Sequence, residues 1–286
     1  MSFQAAVLDV LSCFIFEKFI MENFKNRFKR AYPSPRPLYG VWNGLVDPNV
    51  GEILAGSGFD WVLIDGEHAP FDLRSIQLQM QAMARSGVPV FVRPPVGDTH
   101  SIKQLLDAGA QSLLIPMVET STQAASLYQA MQYPPKGVRG VGTGLARAAQ
   151  WNRVDNYFET AGEEMCLVVQ VETVLGIKNL ESILHTEGVD GVFIGPSDLA
   201  ASMGFLGRPD RIEVKRVVEK ALRAIRDAGK IAGVMVIGDK ALADHYADCG
   251  ANMIAVAIDT LLLAEHAVLL AEKYKGTNGE ASGTKY

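Results

Sequence analysis

Short apolar runs alternate with segments of helical periodicity along the chain from about residue 37 onward. The runs are nearly continuous in Val, Ile and Leu, which is typical of parallel strands that are covered on both faces. The predicted strands are Leu38–Trp42, Trp61–Asp65, Val88–Val92, Ser112–Met117, Cys166–Val171, Gly191–Ile194, Ala232–Val236 and Met253–Ala257. Strands that alternate with helices in this number predict an α/β fold, a closed (β/α)8 TIM barrel.

Helical periodicity marks the segments between these runs. Four of the predicted helices are Ser75–Arg85, Thr122–Gln132, Ile212–Ala228 and Lys240–Cys249. Glycines follow several helical segments, at positions where a left-handed glycine commonly ends a helix. These are Gly87, Gly188, Gly229 and Gly250. A doubly wound open sheet is the alternative fold, but no Gly-x-Gly-x-x-Gly turn follows the first strand to support it.

Three segments are predicted along the chain. Residues 1–36 form an N-terminal extension with a lead-in helix, residues 37–275 form the barrel, and residues 276–286, rich in Gly, Ser and Thr, form a flexible tail. The apolar run Leu11–Phe16 is too short to span a membrane and lacks the flanking features of a signal peptide. Either a short extra helix or a native start at Met21 explains this region, so the place of residues 1–20 in the native protein stays open.

Composition and charge argue against a nucleic-acid-binding protein and against a zinc-binding cysteine motif. The chain has 286 residues, a net charge of −5 and 48% hydrophobic residues. An acidic chain without a basic stripe is not expected to bind nucleic acid. Its three cysteines, Cys13, Cys166 and Cys249, are widely spaced and match no zinc-binding pattern, so we interpret them as reduced thiols of a cytoplasmic protein.

Carboxylates follow two consecutive predicted strands, where a barrel carries its active site. Glu172 follows the fifth strand and Asp198 the sixth. Two such carboxylates would repel each other unless a cation lay between them, and oxygen ligands suit a hard ion such as Mg²⁺ or Mn²⁺, with Co²⁺ or Zn²⁺ also possible. The alternative is that each carboxylate caps the helix that follows it.

Three further polar groups lie at predicted strand ends. Arg93 is a cation directly at the end of a strand, where it would either form a rim ion pair or face the developing charge of an enolate. His68 follows Asp65 by three residues; if Asp65 holds one ring nitrogen, the other could move a proton near neutral pH. His100, His185, His245 and His266 are interpreted as structural or solvated.

The turn at Gly195–Asp198 exposes backbone N–H groups that suit a small carboxylate.

From about residue 21 to residue 275 the chain resembles the class II pyruvate aldolases of the 4-hydroxy-2-oxoheptanedioate aldolase type. The resemblance is densest in GFDWVLIDGEHAP (58–70), VRP (92–94), IKQLLDAGAQSLLIPMV (102–118), YPPKGVRGVGTGLARAAQWNR (133–153), VQVET (169–173) and GVDGVFIGPSDLAASMG (188–204). It implies an enzyme that reversibly cleaves 4-hydroxy-2-oxo acids to pyruvate and an aldehyde through a metal-stabilised pyruvate enolate.

The resemblance also implies roles for individual residues. Glu172 and Asp198 resemble the metal ligands of the family. Arg93 resembles the group that binds the keto oxygen and stabilises the enolate. His68, paired with Asp65, resembles the acid/base group.

Other positions resemble substrate-binding and assembly features. On the pyruvate side these are Gln170 and the backbone N–H groups of Ser197 and Asp198; on the aldehyde side they are Trp42, Val141 and Met235; Asp107 resembles an acidic residue contributed by a neighbouring subunit. In such proteins the eighth helix, here about Leu261–Lys273, is exchanged between subunits. A homo-hexamer, a dimer of trimers, is therefore expected.

Several alternatives to this function stay open. A related enolate enzyme could use another donor or acceptor, as a 2-keto-3-deoxy sugar acid aldolase, a hydroxypyruvate aldolase or a macrophomate-synthase-like enzyme does. A catalytically inactive metabolite-binding barrel is also possible. A Schiff-base aldolase would need a lysine at a strand end, and the nearby Lys240 is instead predicted to open a helix.

Overall fold

Eight parallel strands close into a barrel in the computed structural model, which describes residues 25–275. Each strand pairs with the next along the chain, and the eighth pairs with the first. The strands are β1 Leu38–Asn43, β2 Trp61–Asp65, β3 Val90–Arg93, β4 Ser112–Ile115, β5 Cys166–Val171, β6 Gly191–Ile194, β7 Ile231–Met235 and β8 Met253–Ile258. The predicted (β/α)8 barrel is confirmed, and the open sheet is wrong.

Helices follow the strands and cover the outside of the barrel. They are α1 Arg27–Ala31, α2 Pro48–Ala55, α3 Leu73–Met83, α4 Thr99–Ala108, α5 Ser121–Met131, α6 Tyr157–Thr160, α7 Val174–Lys178, α8 Leu180–Leu184, α9 Pro196–Ser202, α10 Ile212–Asp227, α11 Lys240–Asp248 and α12 Asp259–Lys275, with a 3₁₀ turn at Arg147–Ala149. None of the helices within residues 25–275 has both the length and the apolar character to cross a membrane.

The bounds of β1, β7 and β8 differ from the predicted ones by one residue, and a proline or a helix cap explains the differences at β3, β4 and α3. β3 begins at Val90, two residues later than predicted, because Pro89 has no N–H to give to a strand ladder. β4 ends at Ile115 because Pro116 follows and Met117 takes a left-handed φ of 56°. Helix α3 begins earlier than predicted because the Asp72 carboxylate accepts a hydrogen bond from the N–H of Ser75 in a capping box.

Gly229 and Gly250 end helices as predicted, because each directly follows the C-cap residue of its helix, whereas Gly87 and Gly188 lie in turns four residues beyond the last residue of α3 and α8. All four adopt positive φ values between 70° and 114°. At Gly250 a Cβ would also lie 2.9 Å from the side chain of Arg226, so the backbone conformation and the space both favour glycine there.

Aromatic side chains fill the interior of the barrel. Trp61, Phe91 and Phe193 are almost fully buried there, and the ring of Trp42 lies 5.6 Å from that of Phe193. Phe28 of α1 plugs the amino end, with its ring centroid 4.7 Å from that of Phe91. Burial of one such side chain contributes about 1.5–3 kcal/mol, so the short lead-in helix is anchored to the barrel.

The structure tests the prediction for two of the three cysteines but not the predicted chain segments. Cys166 and Cys249 are free, as predicted, and both are buried, whereas Cys13 lies outside the described residues. The extra helix or alternative start in residues 1–20 and the tail at 276–286 also lie outside residues 25–275. The boundaries of the three predicted segments therefore stay predictions.

Candidate active site

An arginine and an aspartate pair across two neighbouring strand ends at the carboxyl rim. Arg93 at the end of β3 lies in register with Asp65 at the end of β2. Its Nε donates to Asp65 Oδ1 at 2.9 Å and its Nη2 to Oδ2 at 2.6 Å, and both side chains are buried. Burial opposes ionisation of Asp65, but the bonds and charge of Arg93 outweigh it and hold the Asp65 pKa below its usual value.

Other contacts fix the guanidinium of Arg93. Its Nη1 lies 2.8 Å from Glu67 Oε2 and donates to Gln170 Oε1 at 3.4 Å. The group also lies over the Trp42 ring, 5.4 Å from the ring centroid. Arg93 is therefore held in one orientation by charged, polar and aromatic partners, as a pre-organised oxyanion-binding group must be.

Glu172 is a buried carboxylate that accepts hydrogen bonds but has no cationic partner among residues 25–275. Its side chain lies just after β5 and the residue is 2% exposed. Oε1 accepts from the N–H of Met117 at 3.0 Å, and Oε2 accepts a very short bond from Gln170 Nε2. Burial, followed by the negative charge of Asp198 and Glu67, raises the pKa of Glu172 to about 7.

A close backbone approach gives Glu172 its position. A Cβ at residue 195 would lie 2.5 Å from Glu172 Oε2 and 3.1 Å from Gln170 Nε2. Glycine is therefore required between β6 and α9. The capping interpretation of Glu172 is wrong, because Thr173 caps α7 by accepting from the N–H of Gly176.

Asp198 lies in the first turn of α9 and is exposed toward the same rim. Pro196 opens that helix, and Gly195 offers no side chain to cap the N–H groups of Ser197 and Asp198. Within residues 25–275, no Lys, Arg or His forms an ion pair with either Glu172 or Asp198. A buried carboxylate of raised pKa beside a second carboxylate fits a hard divalent cation, whose charge would remove the repulsion.

The predicted pairing of the His68 ring with Asp65 is wrong. Both oxygens of Asp65 bind Arg93, and Oδ1 also accepts from the backbone N–H groups of Glu67 and His68. The permanent charge of Arg93 makes it a stronger partner for a buried carboxylate than a neutral imidazole. The His68 side chain is instead 68% exposed, with Nε2 3.8 Å from Glu67 Oε2.

Glu67 is a site residue to which the sequence analysis gave no role. Its carboxylate contacts Arg93 and faces His68, and burial raises its pKa, partly offset by the charge of Arg93. It belongs to the Asp65-Gly66-Glu67-His68 phrase directly after β2. Its position after a strand could have indicated a place at the active-site rim. A turn, however, can direct an acidic side chain either to solvent or to the rim, and the sequence does not distinguish the two.

Asp259 is a second site-supporting residue that lacked an individual role. It is buried at the start of α12 and accepts from Asn43 Nδ2 and from the N–H groups of Gly44 and Leu45, each at 2.9 Å. Its two oxygens thus hold the loop that follows β1. A carboxylate with several N–H donors rigidifies this part of the rim.

The structure separates the residues expected on the aldehyde side. Trp42 and Met235 pack with the aromatic interior cluster of the barrel. Val141 lies in the long segment after α5 and is 70% exposed. Asp107 on α4 accepts from Arg139 Nη2 at 2.9 Å, and Arg139 is buried. A single chain therefore brings Trp42 and Met235 to the barrel interior, but holds Asp107 in a separate ion pair.

Lys240 does not occupy a position suited to a Schiff base. It opens α11, as predicted, and its side chain is 76% exposed. Its ammonium pairs with Asp244 on the next turn of the helix. A catalytic lysine would need a desolvated or electropositive site that lowers its pKa, and this pairing has the opposite effect.

Comparison with known proteins agrees with this geometry. Residues 38–266 match the family model described as HpcH/HpaI aldolase/citrate lyase. A hydroxypyruvate/pyruvate aldolase from Deinococcus radiodurans is 54% identical, covering 91% of this chain and 94% of that protein. A 4-hydroxy-2-oxo-heptane-1,7-dioate aldolase from Salmonella heidelberg is 49% identical, covering 91% and 98%.

Solved structures show the same fold. A HpcH/HpaI aldolase/citrate lyase family protein from Burkholderia cenocepacia superposes with a TM-score of 0.83 and 35% identity, covering 88% of this chain and 100% of that one. The family model, the relatives and the barrel with its acidic rim agree. The chain therefore belongs to the HpcH/HpaI aldolase/citrate lyase family and is an aldolase, a carbon–carbon lyase.

Proposed function

We propose that this chain is a divalent-metal-dependent aldolase that reversibly cleaves 4-hydroxy-2-oxo acids to pyruvate and an aldehyde. The observation that carries the proposal is the proximity of the Glu172 and Asp198 carboxylates, which have no Lys, Arg or His ion-pair partner within residues 25–275, beside an Arg93 held rigidly by its neighbours. The name of the Salmonella relative supports 4-hydroxy-2-oxoheptanedioate as one substrate.

Glu172 and Asp198 are the residues that would hold the metal. Their oxygen donors favour Mg²⁺ or Mn²⁺, with Co²⁺ and Zn²⁺ as further candidates. When bound, the cation would supply Lewis-acid polarisation of the substrate keto group. Gln170 supports this arrangement, because it bonds both Glu172 and Arg93 and so sets the distance between the carboxylate and the guanidinium.

Arg93 would stabilise the charge that develops during cleavage. Loss of the C4 hydroxyl proton breaks the C3–C4 bond, releases the aldehyde and leaves a pyruvate enolate. A guanidinium N–H aimed at the enolate oxygen lowers the energy of that state, because the group is already oriented before the reaction. The N–H groups of Ser197 and Asp198 would receive the substrate carboxylate, and Trp42 and Met235 would line the aldehyde side.

His68 is the proposed proton-transferring group. Its ring is exposed beside the rim, within 3.8 Å of the Glu67 carboxylate. A neutral imidazole can accept the C4 hydroxyl proton, directly or through water, and return a proton to C3 of the enolate. Asp65 would contribute by orienting Arg93 and the backbone of residues 67–68, rather than by binding the His68 ring.

A second copy of the chain would complete the site in the proposed hexamer, a dimer of trimers. Helix α12 buries only Asp259 and leaves its apolar side chains exposed, which supports exchange of this helix between subunits. The exposed Val141 and the peripheral Asp107 would then reach the rim of a neighbouring subunit. Light scattering coupled to size-exclusion chromatography tests the assembly.

Hydroxypyruvate is a second candidate donor. The Deinococcus relative carries the name hydroxypyruvate/pyruvate aldolase and covers nearly the whole chain at 54% identity. Hydroxypyruvate adds one hydroxyl to the pyruvate methyl group, so the same carboxylate, arginine and metal contacts would bind it. Assays with both donors and one aldehyde distinguish the two substrates.

The deciding experiment measures metal-dependent aldol cleavage. Protein stripped with EDTA is assayed for pyruvate release from several 4-hydroxy-2-oxo acids, with Mg²⁺, Mn²⁺, Co²⁺ or Zn²⁺ added back. We expect activity to disappear with EDTA and return with a divalent ion. Undiminished activity in EDTA, or a covalent adduct trapped by borohydride with pyruvate, would rule the mechanism out.

A further inference from the structure

Three side chains of types that can coordinate a metal meet on the outer helical layer, on elements that carry none of the rim residues. Glu219 lies on α10, His245 on α11, and Cys249 directly after α11. Glu219 Oε1 lies 2.8 Å from His245 Nε2, and Cys249 Sγ lies 4.0 Å from that same nitrogen. One ligand atom from each residue lies within 4.8 Å of the other two.

Helical geometry holds two of these side chains together. His245 and Cys249 are four residues apart, which places them on one face of α11. The helix ends at Asp248, and the left-handed Gly250 redirects the chain just after Cys249. Glu219 on the neighbouring helix is 26 residues from His245 along the chain, so local spacing in the sequence gives no sign of the cluster.

The arrangement is that of ligands rather than of a nucleophilic triad. In a triad the carboxylate holds one imidazole nitrogen while the nucleophile faces the other. Here both Glu219 and Cys249 approach Nε2 of His245. Convergence of three donor atoms on a single region is what metal coordination requires.

We propose that Glu219, His245 and Cys249 form a second metal site, for a borderline-soft divalent ion such as Zn²⁺ or Co²⁺. Thiolate, imidazole and carboxylate are the usual protein ligands of zinc, at about 2.0–2.3 Å. Tetrahedral coordination at those lengths separates donor atoms by about 3.3–3.6 Å. The cysteine sulfur therefore has to approach His245 Nε2 by about half an ångström, and Glu219 Oε1 has to move away from it by about as much, with water as the fourth ligand.

Chemical softness separates this site from the proposed rim site. Glu172 and Asp198 offer oxygen alone, which suits Mg²⁺, whereas a thiolate binds Mg²⁺ poorly. The His245 side chain is half exposed, so an ion can enter from solvent. The two sites can therefore be loaded independently, and the outer site does not depend on the proposed function.

Arg223 competes with a metal for the cysteine sulfur. Its Nη2 donates to Cys249 Sγ at 3.1 Å. A bound cation must displace this contact and tolerate the nearby guanidinium charge. Replacement of Arg223 by glutamine should therefore tighten metal binding, an effect opposite in sign to the loss of a ligand.

A cobalt titration tests the site. The full chain, saturated with Mg²⁺, is titrated with Co²⁺, and sulfur-to-cobalt charge-transfer absorption is followed. We expect the band in the wild type and its loss in Cys249→Ser. His245→Gln should weaken Co²⁺ binding at least about tenfold, the scale of losing even an indirect metal partner, and Arg223→Gln should strengthen binding.

Matched controls isolate the cluster from other thiols and charges. Cys13→Ser removes another cysteine, and Asp244→Asn changes a carboxylate adjacent to His245 that binds Lys240 instead. Both variants should keep the band. Absence of the band in the wild type, or its persistence in Cys249→Ser, would overturn the proposal.

If the Cys249→Ser variant does not fold, a second measurement on the wild type tests the same site. In the wild type, Zn²⁺ in the presence of excess Mg²⁺ should slow alkylation of Cys249 at least about tenfold, since metal coordination removes the free thiolate. Mass spectrometry of the peptide that contains Cys249 reports this protection. Equal alkylation with and without Zn²⁺ would contradict the site.

Discussion

Carboxylates occur at both ends of the barrel, but their partners differ. At the amino end, Arg36 donates two bonds to the oxygens of Asp60, at 2.6 and 2.7 Å, and Asp60 also accepts from the N–H of Tyr39. The hydrogen bond from Arg36 is the main cause of the lowered Asp60 pKa. Asp190 similarly accepts from the N–H of Leu167.

At the carboxyl end, Glu172 is more deeply buried, and its donors in the described part of the chain, Met117 and Gln170, are neutral. Its pKa rises to about 7, in the direction opposite to that of Asp60. The comparison shows that a carboxylate near a strand end is informative only together with its partners. Neutralised carboxylates stabilise the amino end, whereas the uncompensated one at the rim fits ligand binding.

Removal of the rim arginine should have the largest effect. Arg93→Ala deletes the group proposed to stabilise the enolate oxygen, and kcat should fall by about 10²–10³ or more. The matched control is Arg36→Ala, which removes an arginine from the amino end. Steady-state kinetics of both variants provide the measurement. Normal turnover in Arg93→Ala would refute the assigned role.

Replacement of Glu67 should lower the rate of the same reaction by a smaller factor. Glu67→Ala removes one charged partner of Arg93 while Asp65 still holds the guanidinium. Because a hydrogen bond to a charged group contributes about 1.5–3 kcal/mol, kcat should fall roughly tenfold to a hundredfold. A kinetic comparison with the exposed Glu187→Ala provides the control. A wild-type kcat would mean that the other partners of Arg93 position it without Glu67.

The raised pKa of Glu172 predicts an unusual pH dependence of stability. With a pKa near 7 in the folded state and 4.5 in the unfolded state, the Glu172 carboxyl favours folding in its protonated form. This contribution to stability is fully present below pH 4.5 and is lost as the pH rises through 7. Metal-free Glu172→Gln should therefore become more stable than metal-free wild type between pH 5 and 8, by at least about 2 °C in Tm at pH 8.

Thermal melts in EDTA measure this crossover. Glu52→Gln, at an exposed position, should show no such trend. Added Mg²⁺ should raise the Tm of the wild type at pH 8 and leave Glu172→Gln unchanged. Parallel melting curves for wild type and Glu172→Gln across the whole pH range would contradict the prediction.

The smallest effect is expected at the amino end. Asp60→Asn weakens a partly exposed ion pair with Arg36 but keeps an oxygen that can accept from Tyr39. Such pairs contribute at most about 1 kcal/mol, so Tm should fall by no more than about 2–4 °C with kcat unchanged. If Asp60→Asn lost activity without losing stability, the amino end would contribute to catalysis, and the assignment of catalysis to the carboxyl end alone would be wrong.

The sequence predicted the barrel because burial on both faces leaves long apolar runs in each strand. Those runs located β2, β5 and β6 to the residue. Neighbouring prolines decided the start of β3 and the end of β4, while β1, β7 and β8 moved by one residue. The sequence also placed Asp65, Arg93, Glu172 and Asp198 at strand ends, since a barrel brings all carboxyl ends of its strands to one rim.

Only the tertiary structure decided which groups are partners. Sequence spacing suggested His68 for Asp65, but strand register placed Arg93 opposite that carboxylate, and a charged donor at 2.6 Å prevails over an imidazole. Register across strands and packing between helices join residues that are far apart in the chain. For that reason the sequence determined the fold and the location of the rim site, whereas the partners of Glu67 and the cluster at His245 emerged only from the folded chain.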